Sequence, residues 1–134
     1  MNEIPLFSSL SIKSITLRNR VVLSPMCQYK AKDGMINDWH LQHYSRFAFS
    51  GLGAAFIEAT GVSPEGRIGH GCTGIWSDDH IEGLSKIAKT FKEYNCVSGI
   101  QLAHAGRKAS FLRPWDGASP ISRDDKKEPA WQTI

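Results

Sequence analysis

The chain has 134 residues, 41% hydrophobic and 22% charged, which is the composition of at most one globular domain and excludes a disordered class. No apolar run approaches the ~20 residues of a membrane helix, and the N-terminus lacks a basic region followed by an apolar stretch, so a cytoplasmic location and no membrane contact are expected. The net charge of +3 is dispersed, and its densest cluster, Arg123 to Glu128, carries its own acids, which argues against a nucleic-acid partner.

From Leu6 to Arg18, short apolar positions broken by polar residues predict a small hairpin that caps the fold. Next, "VVLSPM" is a continuous apolar run, the pattern of a strand buried on both faces. Trp39, Tyr44, Phe47 and Ala48 predict a helix from Trp39 to Ser50, with Asp38 as N-cap and Gly51 as terminator. "AAFIEA", Ala54 to Ala59, predicts a second buried strand, followed by the Gly-rich stretch "TGVSPEGRIGHGCTG". Ile81, Leu84, Ile87, Ala88 and Phe91 keep helical periodicity, with Asp79 and Glu82 as a capping box. "VSGIQLA", Val97 to Ala103, predicts a third strand, and the tail beyond it shows neither period.

Strand, helix, strand, helix, strand calls for a parallel sheet with right-handed crossovers, which needs cover on both faces. Two helices cover one face. The fold is therefore a tight open α/β sheet or the opening part of a (β/α)8 barrel, which takes about 250 residues.

Parallel strands bring their C-terminal ends to one rim, where ligand sites of such folds gather. Ser24, Pro25, Met26 and Cys27 close the first strand, Glu58, Ala59 and Thr60 the second, and Gln101 lies near the end of the third. Among these, a soft thiol, a tyrosine at position 29, a primary amide and a small residue suit a flat, neutral, hydrogen-bonding ring. Phosphate-loop and nucleophile-elbow motifs are absent from the sequence.

"LRNRVVLSPMCQY", "IEATGVSPEGRI", "GIWSDDHIEG" and "GIQLAHAGRKAS" resemble the N-terminal third of the old yellow enzyme family, nearest its NADPH dehydrogenase and xenobiotic reductase branch. The resemblance implies a (β/α)8 barrel with FMN at the C-terminal rim, reduced by NADPH or NADH, that passes hydride to a small-molecule activated alkene. It further implies a homo-oligomer for the full-length form. Residues 1–134 are then a partial FMN-binding barrel domain, truncated after the third strand. By the same resemblance, Ser24, Pro25, Met26 and Cys27 lie against the flavin ring, Ala59 is the small contact on the second strand, and Gln101 grips the pyrimidine edge. Tyr29 reaches into the substrate pocket, and Cys27 tunes the flavin's redox potential through its polarisable sulfur. The family's substrate-anchoring pair, flavin-side arginine and phosphate site belong to later strands and match nothing in this chain.

Three cysteines at spacings of 45 and 24 fit neither a disulfide framework nor paired metal knuckles. Cys72 and Cys96 are expected to be filler or loop residues. His40 with His43, and His70 with Cys72, lack zinc-like spacing. Arg107 and Lys108 serve either as loop anchors or as substrate contacts. Glu58, a carboxylate at the end of an apolar strand, is expected to be structural and paired with a cation, because burial alone is costly. Two readings follow: part of an FMN oxidoreductase, or a noncatalytic remnant or interaction fragment with half a flavin site.

Overall fold

A computed structural model describes residues 4–131. The hairpin forms as expected, from β1 (Leu10–Ile12) and β2 (Ile15–Leu17), antiparallel with Leu10 opposite Leu17. The main sheet holds β3 (Val22–Leu23), β4 (Ala54–Gly61), β5 (Thr73–Gly74) and β6 (Val97–Ala103), all joined in parallel. β4 is central: β3 pairs with its start and β5 with its end along one edge, while β6 runs along the other. This is an α/β fold with the opening strands of a barrel and no closure among the described residues.

Both helices pack on one side. α1 (Asp38–Phe49) and α2 (Ile81–Glu93) set Tyr44, Ala48, Ile87 and Phe91 against Leu23, Ala55 and Ile57 of the sheet, with Cys96 beneath. Phe91 and Ile87 are fully buried, each stabilising by about 1.5–3 kcal/mol. The other face is uncovered, with Val22 and Phe56 44% and 39% exposed, and Leu102, two residues past Ile100 on the helix side of β6, is 62% exposed. The expectation of strands buried on both faces thus fails for part of each strand, because the second layer a parallel sheet needs is not supplied by these residues.

Local chemistry moves several predicted boundaries. Asn37, not Asp38, caps α1: its side chain accepts from Trp39 N at 3.1 Å while its own N–H meets His40 Nδ1 at 3.3 Å. Ser77, not Asp79, forms the box before α2, with His80 as its reciprocal partner in a short 3-10 turn, and Glu82 instead pairs with Lys86 at 2.6 Å. β5 interrupts the Gly-rich stretch that carried no predicted strand, and β4 runs two residues past its predicted end. The tail folds back. Phe111 bridges Pro120, Ile121 is buried, Arg113 pairs with Glu128, and Trp131 donates its indole N–H to the Glu65 carbonyl at 2.8 Å.

Candidate functional site

β4 carries one residue more than its partner. Ile57 is opposite Ile100 and Ala59 opposite Gln101, so Glu58 has no counterpart on β6 and forms a β-bulge. In-register residues of parallel strands share a face, which sets the Ala59 methyl beside the Gln101 amide. Gln101 is exposed and Ala59 half-buried on the side away from the helices, a flat strip next to a hydrogen-bonding amide.

Cys27 joins this strip from the extended segment after β3. Its thiol is half-buried and lies near Ala59, Cys72 and Tyr29, whose groups set its acidity. Ser24 and Met26 are exposed and Pro25 is half-buried on the way to it. Gly71 brings the second thiol within reach: Ala31 N donates to its carbonyl at 2.9 Å, and a methyl at Gly71 would collide with the Tyr29 carbonyl. The hydrogen bond from Cys72 is the main cause that draws the Cys27 thiol down to about 6, while the same pairing and burial push Cys72 up. Cys72, buried in the Gly-rich loop, and Cys96, buried under the sheet, both lie where filler or loop residues are expected.

Tyr29 takes a left-handed conformation (φ 52°) and meets Trp115 of the tail edge to face at 6.2 Å. Burial, then the charge of Cys27, pushes its phenol up to about 12, so it remains a neutral donor near pH 7. Lys30 lies over Trp115 at 4.6 Å and Trp39 at 5.1 Å, which fastens the tail beside this residue.

Behind the strip lies the feature that the sequence reading assigned otherwise. The bulge turns Glu58 towards α1, fully buried. No lysine or arginine meets it among the described residues. Its Oε2 accepts the Gln28 N–H at 2.8 Å, its Oε1 accepts the Tyr44 hydroxyl at 3.3 Å, and its own N–H donates to that hydroxyl oxygen at 2.8 Å. His40 Nε2 stands 3.7 Å from Oε1 with no other partner. Burial raises Glu58 to about 7 and lowers His40 to about 4, so the expected cation is a neutral imidazole near pH 7. His40 and Tyr44 were legible as a one-turn pair on α1; nothing local linked them to Glu58.

Ser24–Cys27, Ala59 and Gln101 thus share one rim, on an open face rather than in an enclosed pocket. A hollow of about 920 Å³ lies elsewhere, lined by Asp33, Arg67, Trp76 and His80. Arg107 is exposed beside Arg123, Phe111 and Trp131 in another, of about 860 Å³.

The chain is similar in sequence and fold to known proteins. The model of the NADH:flavin oxidoreductase / NADH oxidase family matches residues 5–131. An NADPH dehydrogenase of Halalkalibacterium halodurans is 46% identical over 129 residues, covering 95% of this chain and 38% of that protein. The NADPH dehydrogenase of Bacillus subtilis is 45% identical over 123 residues, covering 90% and 36%. The chain thus spans under two fifths of the length of these curated relatives. Among solved structures, morphinone reductase in complex with tetrahydroNAD superposes with a TM-score of 0.73 at 27% identity, covering 81% of this chain and 29% of that one. The old yellow enzyme from Trypanosoma cruzi gives 0.71 at 31% identity, covering 78% and 28%. No described helix is long and apolar enough to cross a membrane. With a family match over residues 5–131 and a parallel α/β sheet, the chain belongs to the NADH:flavin oxidoreductase / NADH oxidase family.

Proposed function

We propose that this chain forms one wall of the FMN site of a cytoplasmic NAD(P)H-dependent oxidoreductase of the ene-reductase type, acting on small activated alkenes. The observation that carries the reading is the register pair Ala59 and Gln101, with the Cys27 segment held alongside through Gln28, at the C-terminal ends of parallel strands. These residues fit the ring of FMN: a methyl-only contact leaves a flat approach, an exposed amide offers a donor and an acceptor to an imide edge, and a half-buried thiol touches the margin. When bound, FMN supplies the hydride chemistry. The chain's part is to orient the ring through Gln101, to pack it on Met26, Cys27 and Ala59, and to offer the neutral Tyr29 hydroxyl at the substrate side. Ser24 and Pro25 hold the segment that delivers Cys27.

Residues 1–134 act in this reading as a partial FMN-binding domain, completed by further strands in a homo-oligomeric enzyme. The uncovered face with Phe56, the exposed Leu102 on the other side of β6, and the unpaired outer edge of β6 among the described residues, are what such completion would cover. They equally favour a second reading, a noncatalytic fragment with half a flavin site. Flavin fluorescence titration of the chain, alone and fused to the remaining part of a curated relative, separates the two. Tight binding and alkene reduction by the fusion alone support the first; a folded fusion without flavin binding supports the second.

A further inference from the structure

The bulge at Glu58 places a buried carboxylate where a regular strand would have put it on the open face. The carboxylate touches two elements at once. Oε2 takes the N–H of Gln28, between Cys27 and Tyr29, and Oε1 takes the hydroxyl of Tyr44 on α1. Thr60 Oγ1 donates to the Glu58 carbonyl at 2.7 Å and meets Thr73 Oγ1 at 3.0 Å, which links the bulge to β5.

His40 completes the cluster. Its Nε2 faces Oε1 across 3.7 Å, too far for a hydrogen bond, so the imidazole lines the carboxyl without sharing a proton with it. The titratable groups facing Glu58 are His40 and Tyr44 from α1 and Cys27 and Tyr29 from the rim segment, with Cys72 behind Cys27.

We propose that Glu58 is the positioning residue of the rim: its buried carboxyl ties the Cys27–Tyr29 segment to α1 and so holds the Cys27 thiol in place beside Ala59 and Cys72. The cofactor-facing importance of this device rests on the flavin reading above; the device itself does not. Burial first, and the charge of Cys27 after it, hold Glu58 up at about 7, so the carboxyl is still protonated where Cys27 ionises.

The test uses the chain without cofactor and two readouts: the pH profile of Cys27 alkylation, resolved from Cys72 and Cys96 by peptide mass spectrometry, and hydrogen exchange at the Gln28 amide. Glu58→Gln keeps an acceptor for Gln28 and should leave both Gln28 protection and the Cys27 profile as they are. Glu58→Ala removes the tie: Gln28 exchange should rise about tenfold or more, and the Cys27 midpoint should move up as the segment no longer holds its thiol against Cys72. Where Glu58→Ala fails to fold, Tyr44→Phe loosens the carboxyl from α1 and should raise Gln28 exchange about threefold. Gln28 protection and a Cys27 profile unchanged in a folded Glu58→Ala, or Gln28 protection unchanged in Tyr44→Phe, overturn the proposal. FMN plays no part in these readouts, so failure of the flavin reading leaves them standing, and their failure leaves that reading standing.

Discussion

Ala59 faces Gln101 across the β4–β6 ladder one step past the point where Glu58 is squeezed out of register, so a single bulge both buries a carboxylate behind the sheet and sets a methyl beside an amide in front of it. Structure and proposed chemistry meet at that irregularity, because a bulge re-aims side chains without breaking the sheet.

Gln101→Ala should leave the fold intact and weaken flavin binding in a completed enzyme. The side chain is exposed, and surface truncations of this kind stay within about 0.5 kcal/mol, so the urea midpoint should not move. Loss of hydrogen bonds to an imide edge should cost about tenfold in affinity, read by flavin fluorescence titration.

Cys72→Ala should raise the pH midpoint of Cys27 alkylation above its value of about 6, because the hydrogen bond from Cys72 is the largest cause of the depression. Iodoacetamide rates across pH measure this. An unmoved midpoint would place the cause in the backbone around Ala59 instead.

The parts of this fold that repeat were legible in the sequence, and the parts that depend on a single residue were not. Ile81 to Phe91 and Val97 to Ala103 carry enough periodicity to announce α2 and β6, and the apolar "AAFIEA" announces β4. β5 is two residues long in a stretch of glycines, too short to show any period. The bulge is invisible because "FIEAT" has the same letters with or without an extra residue in the ladder. Glu58 was noticed as costly to bury, yet its partners were misjudged, since a tyrosine hydroxyl 14 residues away and a backbone N–H do the work expected of a cation. Asn37 and Asp38, like Ser77 and Asp79, are neighbouring cap formers between which propensity does not choose.

The buried pair makes a prediction about stability against pH. Glu58 has its folded value raised from 4.5 to about 7, so its contribution is fully present below 4.5 and is lost as pH rises through about 7. His40 has its folded value lowered from 6.5 to about 4, so its contribution is present above 6.5 and is lost as pH falls through about 4. The two slopes oppose each other where the windows overlap. Glu58→Gln should therefore make stability climb more steeply with pH between 4.5 and 7, and His40→Asn should make it fall more steeply between 4 and 6.5. Each change has a limiting slope of about 1.4 kcal/mol per pH unit, measured by urea denaturation at a series of pH values.

Leu102→Lys should reduce self-association of the chain at little cost in stability. Leu102 is 62% exposed on β6, whose outer edge has no partner among the described residues, and a lysine on an open edge opposes strand pairing. Sedimentation equilibrium should show a shift towards monomer, with a urea midpoint changed by no more than about 0.5 kcal/mol.

The central claim is that Cys27, Ala59 and Gln101 form the flavin-facing wall, and footprinting Cys27 in a completed barrel tests it most directly. The chain fused to the remaining part of the Halalkalibacterium halodurans relative, 46% identical over the shared region, is alkylated with and without FMN. The account predicts that FMN slows modification of Cys27 but not of Cys96, and that Gln101→Ala raises the FMN concentration needed by about tenfold. A fusion that binds FMN while Cys27 reacts at an unchanged rate, with no effect of Gln101→Ala, would contradict it.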